Sequence, residues 1–305
     1  MKSGTNLKKI LAGGKFAVTV EAGPPKGTNP EVIRQKGELL RSYSDAVNVT
    51  DNQTAIVRMS SLASCLLLQQ MGIEPVMQMV TRDRNRIALQ SDVLGAVALG
   101  ISNILCLTGD HPKLGNHPQA KAVFDIDSVQ LIQTLKKMRD ERQFLNGDEI
   151  SGEVPLFIGA VANPFADPLE IRVPRLAKKI KAGADFVQTQ AVFDVNRFAE
   201  WMKAVTERGL DQETHILAGI IAIRSAGMVR FMRDNVSGVS IPDDIVTRME
   251  KAEDAEVEGV KIALEIIAQV KRIPGVHGIH IMAVGWEKKI PEIVAGAGLL
   301  PRPVL

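Results

Sequence analysis

The chain of 305 residues contains only two cysteines, one tyrosine and two tryptophans, and aromatic residues make up 4% of it. So few rings leave no stacking platform for single-stranded nucleic acid. Two thiols fall short of the four ligands of an ordinary iron–sulfur cluster. Cys65 and Cys106 both sit in apolar runs and read as buried small hydrophobes. The histidines give no zinc pattern: His111 and His117 lie in a Pro/Gly-rich loop, His277 and His280 flank a strand start, and neither pair has partners at ligand spacing. No metal site is expected. No apolar run reaches the roughly 20 residues of a membrane helix. The lysines of "MKSGTNLKKILAGGKF" are not followed by the long apolar core of a signal peptide. An excess of one charge is missing as well. A net charge of +2 with 24% charged residues describes a mixed, solvated surface rather than a nucleic-acid footprint. There is no G-x-G-x-x-G turn, no P-loop and no Ser-His-Asp or Cys-His arrangement.

What the chain does contain is apolar residues, 45% of the total, enough for a sizeable core. They fall into eight short β-rich runs at 16–22, 46–51, 74–80, 103–109, 156–162, 186–192, 215–221 and 278–284. Amphipathic segments such as "NPEVIRQKGELLRSY" and "DPLEIRVPRLAKKIKAG" separate them, and Gly72, Gly100 and Gly183 stand where helices would end. Strand starts recur about every 30 residues, the spacing of parallel βαβ units, with longer gaps after the fourth and seventh. The expected fold is a (β/α)8 TIM barrel, one domain over residues 1–305, with insertions after strands 4 and 7. The second insertion holds an extra helix, "PDDIVTRMEKA". An open doubly wound sheet fits less well, because the first turn, "EAGPPKG", has prolines where a dinucleotide turn needs free N–H donors.

Such a barrel does its chemistry at the C-terminal ends of its strands. Those ends carry Glu21; Thr50, Asp51 and Asn52; Gln78; Thr108, Gly109 and Asp110; Asn163 and Asp167; Gln188, Thr189 and Gln190; and Gly285, Trp286 and Glu287. Polar groups in apolar strands are costly unless satisfied or used. Together they suggest a site for a polar, planar ligand. Each also has a plainer reading. Glu21 could be an exposed strand end, Asp110 a turn residue, and Gln190 a partner for rim backbone. Met71, Met77 and Met79 read as core, "TRDRNR" as a solvated loop and helix start, and Lys178, Lys179 and Lys181 as a helix face. Glu21 and Asp110 come from opposite sides of the ring and do not make a close glycosidase pair.

The series "VEAGPPKG", "NVTDNQ", "LCLTGDHP", "AVANPFADP", "AGADFVQTQAVFD" and "GIHIMAVGWEK" resembles the methylenetetrahydrofolate reductases, in order and over nearly the whole chain. The resemblance implies a flavin-containing barrel, with FAD ahead of FMN, that converts 5,10-methylenetetrahydrofolate to 5-methyltetrahydrofolate. It implies Glu21 as proton donor, Asp110 as the carboxylate near flavin and pterin, and Gln190 as the amide that orients the pterin. Flavin contacts fall on Thr50, Asp51, Gln78, Thr108, Gly109, Asp110, Ala162, Asn163, Asp167 and Lys179. The chain departs from the family pattern at Asp51, Gln78, Thr108, Asn163 and Asp167, where relatives carry aromatic or basic residues. Ala226 stands where an aromatic is expected, and Trp286, in place of an arginine, is expected as an alternative stacking wall. With no nicotinamide signature, the electron donor stays open between a nicotinamide cofactor and a cysteine-rich partner subunit. An oligomer in the cytoplasm is expected. The alternatives are an aldolase-like barrel enzyme without flavin, and a folate- or partner-binding scaffold without turnover.

Overall fold

The β-rich runs and amphipathic segments alternate in space as they do in sequence in the computed structural model, which describes residues 3–236 and 238–303. The first half runs α1 (Asn6–Ala12), β1 (Ala17–Ala22), α2 (Glu31–Leu40), β2 (Ala46–Val49), α3 (Ser61–Gln70), β3 (Pro75–Val80), α4 (Arg86–Ala98) and β4 (Asn103–Leu107). The second runs α5 (Ser128–Asp140), β5 (Phe157–Ala162), α6 (Arg172–Ala182), β6 (Phe186–Ala191), α7 (Val195–Thr206) and β7 (His215–Ile221). It ends with α8 (Ala226–Asn235), α9 (Asp243–Lys251), α10 (Ala255–Val270), β8 (Val276–Met282) and α11 (Ile290–Gly296). The eight strands are parallel and close into a barrel in chain order, the expected (β/α)8 fold. The long gaps are insertions, and α9 is the extra helix read from the sequence. The eighth strand is shifted from the expected 278–284. It stops at Met282 because the chain turns there, with Trp286 N–H donating to the Ala283 carbonyl at 3.1 Å.

Successive strand side chains point to opposite faces, and this sorts the core into two parts. On β1, Val18, Val20 and Ala22 join the apolar layer between sheet and helices. Ala17 packs inside the barrel with Ala46, Val76, Phe157, Phe186 and Leu217. The short helix α1, absent from the sequence expectation, plugs this lower end. Its Leu7, Ile10 and Leu11, at i, i+3 and i+4, join the interior cluster. The first N–H groups of a helix have no intrahelical acceptor. Those of Asn6 and Leu7 donate to the Glu74 carboxylate at 2.5 and 2.9 Å. The C-terminal end of the barrel is left as the open one.

Candidate functional site

At that open end lies a cavity of about 650 Å³, within the size range of small-molecule sites. Four buried polar side chains form a layer beneath it. Asn48 and Gln188 exchange amide hydrogen bonds of 2.7 and 3.1 Å, Gln188 Nε2 also donates to Thr19 Oγ1 at 3.0 Å, and Thr19 Oγ1 meets His280 Nδ1 at 3.0 Å. Gln188 and His280 reach the cavity itself. Burial pushes the His280 imidazole down to about 3, so it is neutral at any ordinary pH.

Two residues beyond Thr19 on the same face of β1, Glu21 lines the cavity. Its carboxyl is pushed up to about 7, first by burial and then by the nearby Glu287 carboxylate. Hydrogen bonds from Gln78 and Gln53 and the charge of Lys36 oppose that rise without cancelling it. Lys36 is itself engaged, donating to Glu287 Oε1 at 2.5 Å and to the Gly23 carbonyl at 3.0 Å. The result is a carboxyl that holds a proton near neutrality, as a general acid requires.

The rim between β2, β3 and β4 is stapled by arginines that the sequence reading placed in a solvated loop. Arg82 is 2% exposed and binds the carbonyls of Asn52 and Asp110, each at 3.2 Å, and the Asp83 carboxylate at 2.6 Å. Asp51 is buried, accepts from Val80 N–H at 2.9 Å and pairs with Arg84 at 2.7 Å. This shapes the rim and brings Asp110 to its edge. Gly109, at φ 89°, makes the turn; a Cβ there would fall 3.0 Å from that of Val80.

Across the cavity, Gln190 lines the wall with its Oε1 accepting from Ala191 N–H at 2.9 Å, so its NH2 remains for a ligand. Thr189 serves the sheet instead. It accepts from Gly219 N–H at 2.9 Å where the β6–β7 register shifts. Arg172, Arg175 and Lys179 lie on one face of α6 at i, i+3 and i+7 and all border the cavity. Lys179 donates to the Val161 carbonyl at 2.6 Å, and burial, then Arg175, pulls its ammonium down to about 8. The sequence reading singled out the lysines and missed the two arginines, whose signal was this helical spacing.

Of the residues expected at the site, Glu21, Thr50, Asp51, Gln78, Thr108, Gly109, Asp110, Ala162, Asn163, Lys179 and Gln190 border the one cavity. Two do not. Trp286 is no cavity wall: it is 4% exposed and packs into the apolar layer outside the strands, because the turn after β8 swings its ring away from the axis. Asp167 is exposed and outside the lining, beyond the turn in which Asn163 Oδ1 accepts from the N–H groups of Phe165 and Ala166. Among the described residues no cluster of metal-ligating groups is present, and no helix is long and apolar enough to cross a membrane.

The sequence profile of the family described as "Methylenetetrahydrofolate reductase" matches residues 6–298. The chain belongs to this family. It is 25% identical over 312 aligned positions to methylenetetrahydrofolate reductase 2 of Schizosaccharomyces pombe, covering 97% of this chain and 47% of that protein. It is 23% identical to the 5,10-methylenetetrahydrofolate reductase of Pectobacterium carotovorum, covering 76% of this chain and 72% of that one. The chain thus spans about half the length, or less, of the first eukaryotic family members it matches. Among solved structures, a Clostridium thermocellum protein described as binding two copies of 5-methyl-5,6,7,8-tetrahydrofolic acid has the same fold. That match has a TM-score of 0.67 at 16% identity and covers 96% of this chain and 98% of that one.

Proposed function

We propose that this cavity reduces 5,10-methylenetetrahydrofolate to 5-methyltetrahydrofolate with a flavin, Glu21 acting as the acid. The observation that carries the reading is the convergence of Glu21, Asp110 and Gln190 on one hollow in a chain of this family. The cavity fits a flavin. Thr50 Oγ1 is buried at its wall with no partner among the described residues, a group awaiting a polar ligand atom. Gln78, Thr108, Gly109, Ala162 and Asn163 offer further contacts, and Arg172, Arg175 and Lys179 offer positive charge to its phosphates.

A bound flavin supplies the hydride. Glu21, protonated near neutrality, delivers its proton to folate N10 and opens the bridging ring to the 5-iminium cation. The Asp110 carboxylate at the rim favours that cation electrostatically. Gln190 donates its free NH2 to the pterin edge and fixes the ring. Ala226 at the start of α8 offers no ring for a nicotinamide to stack on, which supports a separate, cysteine-rich protein over a nicotinamide cofactor as the electron donor. An oligomer in the cytoplasm completes the reading.

A second reading, a folate-binding protein without turnover, draws support from the Clostridium structure with its two folate molecules. Purification settles between them. The reductase is a yellow protein whose flavin is identified by mass. It oxidises 5-methyltetrahydrofolate with an artificial electron acceptor, and Glu21→Gln abolishes that turnover while keeping the flavin. A colourless protein that binds folate and turns nothing over supports the second reading.

A further inference from the structure

We infer that the Lys36–Glu287 ion pair is a positioning device for the acid Glu21: it bridges the ends of the first and last strands, and its carboxylate keeps the proton on Glu21 while its ammonium limits that hold. The inference rests on the proposed role of Glu21 as proton donor and extends it to two side chains outside the cavity lining.

Glu21 is the last residue but one of β1, and the chain that follows it is held in place. The carbonyls of Gly23, Pro24 and Pro25 each take a donor from another segment: Lys36 Nζ at 3.0 Å, Arg58 Nη1 at 3.0 Å and Met59 N–H at 2.9 Å. Two successive prolines fix φ in the same stretch. The carboxyl itself is held less firmly, since its hydrogen bond from Gln53 Nε2 is 3.5 Å long. Nearby charges therefore have a large say in whether it keeps its proton.

Lys36 reaches from α2 past Gly23 to Glu287 Oε1 at 2.5 Å. Glu287 opens the short 3-10 turn Glu287–Lys289 that leads into α11, and both pack on α2. The preceding residue, Trp286, is buried in the apolar layer and anchors that turn. The Lys36 and Glu287 side chains are only 24% and 13% exposed, so their charges are weakly screened. These are the two charges that bear on the Glu21 proton: Glu287 favours it and Lys36 opposes it. Other groups around the cavity are engaged or stand elsewhere. Asp51 on the β2 side pairs with Arg84, and His280 on β8 is neutral. Arg82 and Asp110 belong to the β3–β4 rim, and Arg172, Arg175 and Lys179 to α6.

The test uses the whole chain with glutamate labelled at the side-chain carboxyl with carbon-13, and Glu21→Gln assigns the signal. The wild type should titrate near pH 7. Glu287→Gln removes the carboxylate and leaves Lys36 unpaired, so the midpoint should drop by roughly 1 pH unit. Lys36→Met leaves the Glu287 charge unopposed, so the midpoint should rise. The double variant should return close to the wild-type value, and Lys36→Arg, which keeps the charge, should not move it. Thermal melts show that each variant is folded. In each variant the pH at which folate reduction falls off should move with the titration. A pair that only clips two loops together lowers stability in both single variants and leaves the midpoint alone. Midpoints that stay in place, or that move the same way in both single variants, overturn the inference, and the reductase reading survives either result. A wild type that holds no flavin and reduces no folate overturns the reductase reading, and the acid this pair serves falls with it.

Discussion

The surroundings of Glu21 keep its carboxyl protonated near neutrality, and that property shows in stability before any activity is measured. In the folded chain its carboxyl is raised from 4.5 to about 7. The folded state then holds the proton more tightly than the unfolded chain does, so the contribution of Glu21 is fully present below about pH 4.5 and is lost as pH rises through about 7. At 1.36 kcal/mol for each tenfold change in proton affinity, the full loss is roughly 3 kcal/mol. That figure is an upper bound, since the side chain borders an open cavity and is only half-buried. Glu21→Gln keeps the shape and cannot ionise. Near pH 4.5 variant and wild type should melt together; at about pH 9 the variant should be the more stable by up to about 3 kcal/mol, or roughly 5 °C in Tm for a chain of this size. Paired melts at the two pH values measure this without cofactor or substrate. A constant difference between the proteins at both pH values would refute the reasoning, because it would mean that Glu21 titrates like an ordinary carboxylate.

Other consequences can be checked separately. In the reductive direction, turnover should fall as pH rises through about 7, when Glu21 loses its proton, and a pH–rate profile of the wild type reads this directly. Asp110→Ala removes a rim carboxylate and keeps the backbone carbonyl that Arg82 binds, so folding should survive while folate affinity and reduction rate both drop, seen by titration and steady-state kinetics. Replacing Arg172 and Arg175 together by alanine should weaken FAD and FMN binding and flatten its salt dependence, while riboflavin, which has no phosphate, binds as before; fluorescence quenching distinguishes the three. Asp51→Ala strands Val80 N–H and removes the buried partner of Arg84, so chemical denaturation should show a loss of about 3 kcal/mol. Asp92, 2.9 Å from Arg84, keeps the loss at the lower end of the range for a broken buried pair.

The barrel was legible because its physical basis is a repeat. A parallel strand buried on both faces reads as an apolar run, and the return helix sets the spacing. The rim residues were legible for a related reason: a polar side chain at the end of such a run has nowhere to go but the mouth. What a linear reading lacks is the direction of a side chain after the strand ends. Trp286 was expected to wall the cavity, yet one turn beyond Met282 sends its ring into the helix layer. Arg82 and Arg84 looked like solvated loop, because their acceptors, the Asn52 and Asp110 carbonyls and the Asp51 carboxylate, come from neighbouring strands. The helix plugging the lower end was hidden because Leu7, Ile10 and Leu11 stand among lysines. His280 was weighed as a metal ligand and set aside, and its partners Thr19, Asn48 and Gln188 meet it only once four strands have closed around the axis.

The central claim is that Glu21 supplies the proton that lets folate accept a hydride in this cavity. The most direct measurement is a single turnover under anaerobic conditions: protein with its flavin chemically reduced is mixed with 5,10-methylenetetrahydrofolate, and return of the oxidised flavin colour is followed. The wild type should recover its colour as 5-methyltetrahydrofolate forms, faster below about pH 7 than above it, and Glu21→Gln should bind the folate and stay bleached. Equal recovery in the two proteins would contradict the account.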